Sequence, residues 1–290
     1  MQGGESRSAV AAAAFLAACR LELAAPKPGN VHRFAAGHGM TVADFEASAL
    51  AAAPAIAAGQ PGVGLRILAA VEATRRRVGQ NTNLGILLLC APLAEAFVIE
   101  GALPDLERAT QEVLARLDRT EASHAFQAIR LASPGGLGRV ARHDVAAEPE
   151  VSLVEAMREA AGRDRIAWNF AHGFFDIFRR GLPWWREAQR SGREATWACA
   201  QVYLHFLATV PDTHIARKHG HAMAETVRRE ARPLCRRLRQ ARKPDQLLDQ
   251  LLAFDAALKE KGLNPGTSAD LTVATIFASL LEDAGGVRPA

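Results

Sequence analysis

The sequence predicts an all-α protein, a single-domain multi-helix bundle with a central polar pocket. Three observations carry the fold class. Alanine, the strongest helix former, is abundant in a 290-residue chain that is 49% hydrophobic, and β-branched residues are sparse. Apolar residues recur at helical spacing, and no alternating strand pattern persists. Several helix starts carry caps; Thr41 with Asp44 three positions on is an acidic variant of the capping box.

Taken in order, the pattern places helices near 5–24, 42–58, 63–78, 83–98, 104–119, 121–131, 150–161, 164–179, 193–209, 213–240, 244–260 and 269–283. The first is alanine-rich. Its Ala9 to Cys19 stretch has the look of a short signal-peptide core, and Leu16-Ala17-Ala18-Cys19 resembles a lipoprotein cleavage site. It runs on through Arg20-Leu21-Glu22-Leu23 into a polar island, so we read it as a helix that places that island. The apolar stretch 84–99 is broken by Pro92 and Glu95 and falls short of the ~20 residues a membrane span needs. The irregular stretch 132–149, opening Ala132-Ser133-Pro134-Gly135-Gly136-Leu137-Gly138, is long enough to be a lid or a linker. Gly181 and Gly262 read as C-terminal stops. Pro233 is expected to kink the helix over 213–240. Ser268 or Thr267 is expected to cap the last helix, with Asp270 in its first turn. No internal repeat is visible, and the reading is one domain over 1–290.

Composition bounds the function loosely. A net charge of +4 suits anionic small molecules as well as nucleic acid and decides nothing alone. The four cysteines, Cys19, Cys90, Cys199 and Cys235, are scattered without a CxxC spacing, so reduced thiols and a cytoplasmic location are expected rather than a zinc site.

Three polar islands interrupt the helical pattern. In Pro26-Lys27-Pro28-Gly29-Asn30-Val31-His32-Arg33 the prolines stiffen the chain and Gly29 allows a turn with exposed donors. Lys27, His32 and Arg33 are expected to converge on phosphate oxygens, the alternative being a basic solvent-exposed turn. In Gly79-Gln80-Asn81-Thr82-Asn83-Leu84-Gly85, the residues Asn81, Thr82 and Asn83 precede an apolar helix whose N-terminus favours anions. Ordinary capping needs one such residue, and three stand in a row. The third island pairs Pro211-Asp212-Thr213-His214 with Asn264-Pro265-Gly266-Thr267-Ser268-Ala269-Asp270. Asp212 and Asp270 are the candidate Mg²⁺ ligands or charge stabilisers, since Mg²⁺ takes one or two carboxylates plus substrate phosphates. Both also read as helix-start aspartates. Glu72, Asp44 and Glu46 are further carboxylates whose ordinary reading is surface or capping; Glu72 is kept in the catalytic set.

Other chemistries find no support. There is no GxxxxGK[ST] loop, no HExxH and no Gly-x-Ser-x-Gly elbow, and Gly62-Val63-Gly64 lacks a preceding strand. The stripe Arg228, Arg232, Arg236, Arg239 and Lys243 reads as a solvated face rather than a nucleic-acid surface, because it lacks aromatic interleaving.

In order and spacing these islands resemble the triphosphoribosyl-dephospho-CoA synthase family, over nearly the whole chain. The residues that carry the resemblance are Lys27-Pro28-Gly29-Asn30-Val31, Asn81-Thr82-Asn83-Leu84-Gly85, Asp212-Thr213 with Arg217 and Lys218, and Pro265-Gly266-Thr267-Ser268-Ala269-Asp270-Leu271. The chain departs from the carrier-pathway members in three places. His32 replaces their Asp, Asn83-Leu84 replaces their His-Lys, and His38-Gly39-Met40 shortens their His-x-Asp-Met. These variants look like the divergent branch of archaea and of bacteria using methanopterin-like carriers.

The resemblance implies a magnesium-dependent reaction in which ATP loses adenine. Ribose C1 is attacked by the 2′-hydroxyl of 3′-dephospho-CoA, and the triphosphate stays on the sugar. It implies that Lys27, Arg33, Arg217 and Lys218 hold polyphosphate, with Gly29, Asn30, His32, Asn81, Thr82, Asn83 and Ser268 completing the nucleotide site. Breaking the N-glycosidic bond develops positive charge on the sugar, which Asp212 and Asp270 would stabilise. The expected partners are ATP and a nucleotide-like or cofactor-precursor acceptor, with a homodimer left open and neither nucleic acid nor membrane involved. A related transfer or ligation step in methanopterin-type carrier synthesis, and a non-catalytic nucleotide-binding helical protein, are the competing readings.

Overall fold

The computed structural model describes residues 2–99, 105–135 and 144–286, with side chains from residue 6 onward, and the alanine-rich pattern is realised as fourteen α-helices. They are α1 (Gln2–Ala24), α2 (Val42–Ile56), α3 (Val63–Val78), α4 (Leu84–Val98), α5 (Leu106–Ala115), α6 (Arg119–Ala132), α7 (Leu153–Ala160), α8 (Arg165–Ala171), α9 (Leu182–Arg190), α10 (Ala195–Thr209), α11 (Thr213–His219), α12 (His221–Gln240), α13 (Leu248–Glu260) and α14 (Gly266–Ala284). No strand forms among the described residues; two isolated bridges, His32 to Ala35 and Gly37 to Met40, shape the loop after α1. No helix among them is long and apolar enough to cross a membrane.

The Thr41–Asp44 capping box forms as expected, with the Thr41 amide donating to Asp44 Oδ2 at 2.7 Å. Three boundaries differ from the periodicity. The helix expected over 164–179 stops at Ala171, because Gly173 and Phe174 both take positive φ (61° and 60°). The chain then passes through a π-turn, Ile177–Gly181, into α9, so Gly181 is not a stop. A Cβ there would stand 2.1 Å from Thr275 Oγ1, so Gly181 marks a close approach to α14. The helix expected over 213–240 breaks at Gly220 (φ 86°), and α12 continues through Pro233. The last helix begins at Gly266 with Pro265 at its N-cap, which places Ser268 inside the helix and Asp270 beyond its first turn. In the expected lid, Ser133 caps α6 with φ 46°, and residues 136–143 lie outside the described residues.

α14 is the axis of the bundle. It packs against α1, α4, α5, α8, α9, α10 and α11, and its side chains from Leu271 to Ser279 are all buried. Two of its hydroxyls are satisfied within the helix: Thr272 donates to Ser268 O at 2.7 Å and Thr275 to Leu271 O at 2.8 Å. The buried apolar side chains form one cluster reaching from Ala11 to Leu281. The N-terminal ends of α4 and α14 emerge from this core beside each other, which is where the polar islands meet.

Candidate active site

Burial decides what the first island can do. Lys27 is fully buried and its ammonium pairs with Glu22, also buried, while donating to Asn30 Oδ1 at 3.1 Å. His32 is fully buried, with Nε2 3.3 Å from Asp255 Oδ1. The same carboxylate accepts from the Gly29 amide at 2.8 Å and from Lys259 at 2.9 Å. These partners and His32 hold Asp255 below the usual carboxylate range although burial opposes them. Burial in turn lowers the His32 pKa, which Asp255 resists. Gly29 needs its positive φ of 85°, and a Cβ there would lie 2.7 Å from Pro265. Tyr203 donates to Pro28 O at 2.7 Å. Arg33 is exposed and lies over the Phe34 ring, 4.6 Å from its centroid.

The expected convergence of Lys27, His32 and Arg33 on a ligand is therefore corrected. Two buried acids face Lys27 and His32, and Arg33 faces solvent. Of that island, Asn30 lines the cavity, and its amide donates to Asn264 Oδ1 at 2.8 Å.

The other islands do meet. A cavity of about 1020 Å³ is bordered by Asn81, Thr82 and Asn83, by Arg217 and Lys218, and by Asp270. Asn81 Oδ1 accepts from the Leu84 amide at 3.2 Å, and Thr82 donates to Ser48 at 2.7 Å. Asn83 reaches Thr74 Oγ1 at 3.3 Å and makes no side-chain capping bond, so the first turn of α4 opens toward the cavity with amides that have no helical partner. A Cβ on Gly85 would stand 2.0 Å from Asp270 Oδ2, so the first turn of α4 and the Asp270 carboxyl are in direct apposition.

Asp212 and Asp270 separate into different roles. Asp212 is buried, and both its oxygens are engaged. Oδ1 accepts from the His214 and Ile215 amides at 2.9 and 3.2 Å, and Oδ2 from the Ser268 amide and hydroxyl, each at 2.8 Å. Burial pushes its pKa up and these four donors pull it back. Asp212 thus ties the start of α11 to the first turn of α14, and Ser268 serves that tie. Asp270 has no hydrogen-bond partner among the described residues. Burial first, then the charges of Asp212 and Glu22, push its pKa well above the carboxylate range against the pull of Arg217.

Glu72 lies away from the cavity, in an exposed pair 3.5 Å from Arg76, and this placement removes the basis for a catalytic role. No group of three or more metal-binding side chains occurs among the described residues. With Asp212 saturated, Asp270 alone does not make a resident Mg²⁺ cage, and the expectation of an Asp212–Asp270 ligand pair does not fit this arrangement.

Several cavity residues went unread in the sequence. Glu22 sits one turn on from Ala18 on the buried stripe Ala11, Phe15, Ala18, so a carboxylate on an apolar face was the available signal. Asp164 caps α8 and accepts from Arg217 at 2.6 Å, leaving the buried Arg217 Nε without a partner among the described residues. Arg165 lines the cavity and is held by a two-point pair to the buried Asp176 at 2.7 and 2.9 Å. His214 is pushed down to about 3 by burial and by Arg217 and Lys218, so it stands neutral in the wall at ordinary pH.

The model of the ATP:dephospho-CoA triphosphoribosyl transferase (CitG) family matches residues 8–289. A Streptococcus mutans serotype c (strain ATCC 700610 / UA159) protein, provisionally named 2-(5''-triphosphoribosyl)-3'-dephosphocoenzyme-A synthase, is 26% identical over 112 residues. That match spans 39% of this chain and 37% of the relative's length. A crystal structure from Archaeoglobus fulgidus, provisionally named triphosphoribosyl-dephospho-CoA synthase, superposes with a TM-score of 0.62 at 27% identity, covering 81% of this chain and 98% of that one. With a family match from the first helix to the last, this chain belongs to the ATP:dephospho-CoA triphosphoribosyl transferase family.

Proposed function

We propose that this protein transfers the triphosphoribosyl group of ATP to a hydroxyl of 3′-dephospho-CoA and releases adenine. The observation that carries this reading is the meeting, in one cavity, of an anion-favouring end and an unbonded carboxyl with a raised pKa. The anion end consists of the first turns of α4 and α14 with Arg217 and Lys218. Helix N-termini carry partial positive charge and suit phosphate oxygens. Magnesium enters bound to the triphosphate, as part of the substrate. Asn81 and Asn83 are placed to orient the sugar without adding charge.

Asp270 supplies the chemistry at the sugar. A carboxyl whose surroundings raise its pKa well above the ordinary value favours its protonated form, and it can donate that proton to a ring nitrogen of the departing adenine. The carboxylate left behind faces the positive charge that develops on the ribose. The four cysteines are unpaired and buried, which supports a reducing, cytoplasmic setting. The test is incubation of the protein with ATP, magnesium chloride and 3′-dephospho-CoA, with adenine followed by chromatography. Adenine is expected only when the acceptor is present. ATP binding without adenine release from any acceptor would return the protein to a nucleotide-binding role.

A second acceptor is favoured by one observation. Met40, Asn83 and Leu84, at or beside the departures from the carrier-pathway members, line the cavity, whereas His32 is buried against Asp255. Mass spectrometry of products from a panel of hydroxyl acceptors distinguishes the two. Gly85→Ala is expected to lower adenine release about tenfold or more, because its methyl group must displace either the Asp270 carboxyl or the Ile166 side chain, 2.8 Å away. Steady-state turnover at saturating ATP checks it.

A further inference from the structure

Glu22, a buried carboxylate, lines the same cavity as Asp270, and we infer that Glu22 is the base that takes the proton of the attacking acceptor hydroxyl. This assignment rests on the reaction proposed above. Glu22 is 3% exposed and lines the cavity from the last turn of α1. Lys27 occupies Oε1, while Oε2 has no hydrogen-bond partner among the described residues. A structural ion pair needs neither a cavity wall nor an open oxygen. Lys27 is in turn held by Asn30, itself a cavity residue tied to Asn264.

The groups facing Glu22 are few. Lys27 comes from the loop after α1, Asp270 from α14, Cys19 from the preceding turn, and Cys199 and Tyr203 from α10. Burial raises both thiols and the phenol, so they stay neutral and contribute no charge at working pH. That leaves two carboxyls and one cation. Burial raises the Glu22 pKa above its ordinary value, and the bonded Lys27 pulls it back toward the ionised form. Asp270 has no bonded cation, and the Glu22 charge helps to raise it. Burial raises both groups, and the bonded cation at one of them alone is what distinguishes the base from the acid of the pair.

The step then balances. The acceptor oxygen forms its bond to ribose C1 as its proton passes to Glu22. The C1–N bond breaks with its electron pair going to adenine, and Asp270 gives that base a proton. The net change moves one proton from the hydroxyl to adenine and needs no other reactant.

Two variants test the assignment with ATP, magnesium chloride and 3′-dephospho-CoA. Glu22→Gln is expected to lower kcat for adenine release about 100-fold or more, with KM for ATP within about threefold of the parent value. Lys27→Met removes the cation that holds Glu22 ionised, so the acidic limb of the kcat–pH profile should move to higher pH by about one unit or more. A purely structural pair would not move that limb. If Glu22→Gln fails to fold by circular dichroism, Glu22→Gln/Lys27→Met, which removes both charges, takes its place with the same expected loss. Turnover of the glutamine variant within about threefold of the parent, or an unmoved limb in Lys27→Met, overturns the assignment. A parent protein that releases no adenine with any hydroxyl acceptor overturns the reaction, and the assignment with it.

Discussion

Replacing Asp270 with asparagine will cut adenine release by about 100-fold or more and leave the protein at least as stable as before. Both halves come from one cause. The carboxyl faces a cavity with no hydrogen-bond partner among the described residues, and its surroundings raise its pKa well above the usual range. A carboxyl whose folded pKa exceeds its unfolded one binds more protons in the folded state, so stability falls as pH rises between the two values. At neutral pH the native protein therefore bears a cost for this group, and an amide of the same shape removes it. The amide also removes the transferable proton and the charge that faces the ribose. Asp270→Asn should melt no lower than the parent at neutral pH, and its melting temperature should vary less between about pH 4 and neutrality. A variant that melts much lower, or one that turns over normally, contradicts the role given to Asp270. Gains in stability on removing a functional group are the expected sign of a site built for chemistry rather than for folding.

The all-α class was legible because alanine content and helical periodicity are local properties, and so was the Thr41–Asp44 cap, whose partners are three residues apart. The break between α8 and α9 was not, because it depends on two residues with positive φ and on the fit of Gly181 against Thr275 in a distant helix. The site divides in the same way. Asn81, Asn83 and Asp270 stand in the polar islands and do border the cavity, as do Arg217 and Lys218, which the family resemblance supplied. Lys27 and His32 look like surface cations in sequence. Their environment is set by Asp255, which meets Gly29 across 226 positions, and by the buried Glu22 in the last turn of α1. A local motif can announce that a loop is special. Whether its charges face a ligand or a buried acid is a tertiary fact.

Asp212 and Asp270 looked interchangeable in sequence, and substitution should separate them. Asp212→Ala is expected to lower stability by about 2–4 kcal/mol, a range set by the loss of a helix cap together with buried donors left without an acceptor. Four donors lose their acceptor: the His214 and Ile215 amides at the start of α11, and the Ser268 amide and hydroxyl. The His214 amide keeps a second contact to Thr267 Oγ1 at 3.1 Å, and the Ser268 hydroxyl can turn, so the loss should fall short of four full bonds. Asp212→Asn keeps an oxygen for the cap and presents an N–H₂ group toward Ser268. The hydroxyl can accept from it, but the Ser268 amide is left facing a donor, so a loss of about 1 kcal/mol is expected. Urea denaturation followed by circular dichroism measures both values. The folded Asn variant should keep turnover within about tenfold of the parent, because Asp212 acts by holding α11, with Arg217 and Lys218, against the first turn of α14. A residue that ligated magnesium or touched the sugar would behave in the opposite way, with stability preserved and turnover gone. That opposite result would return Asp212 to the reacting centre and require its network with Ser268 to open when ATP binds.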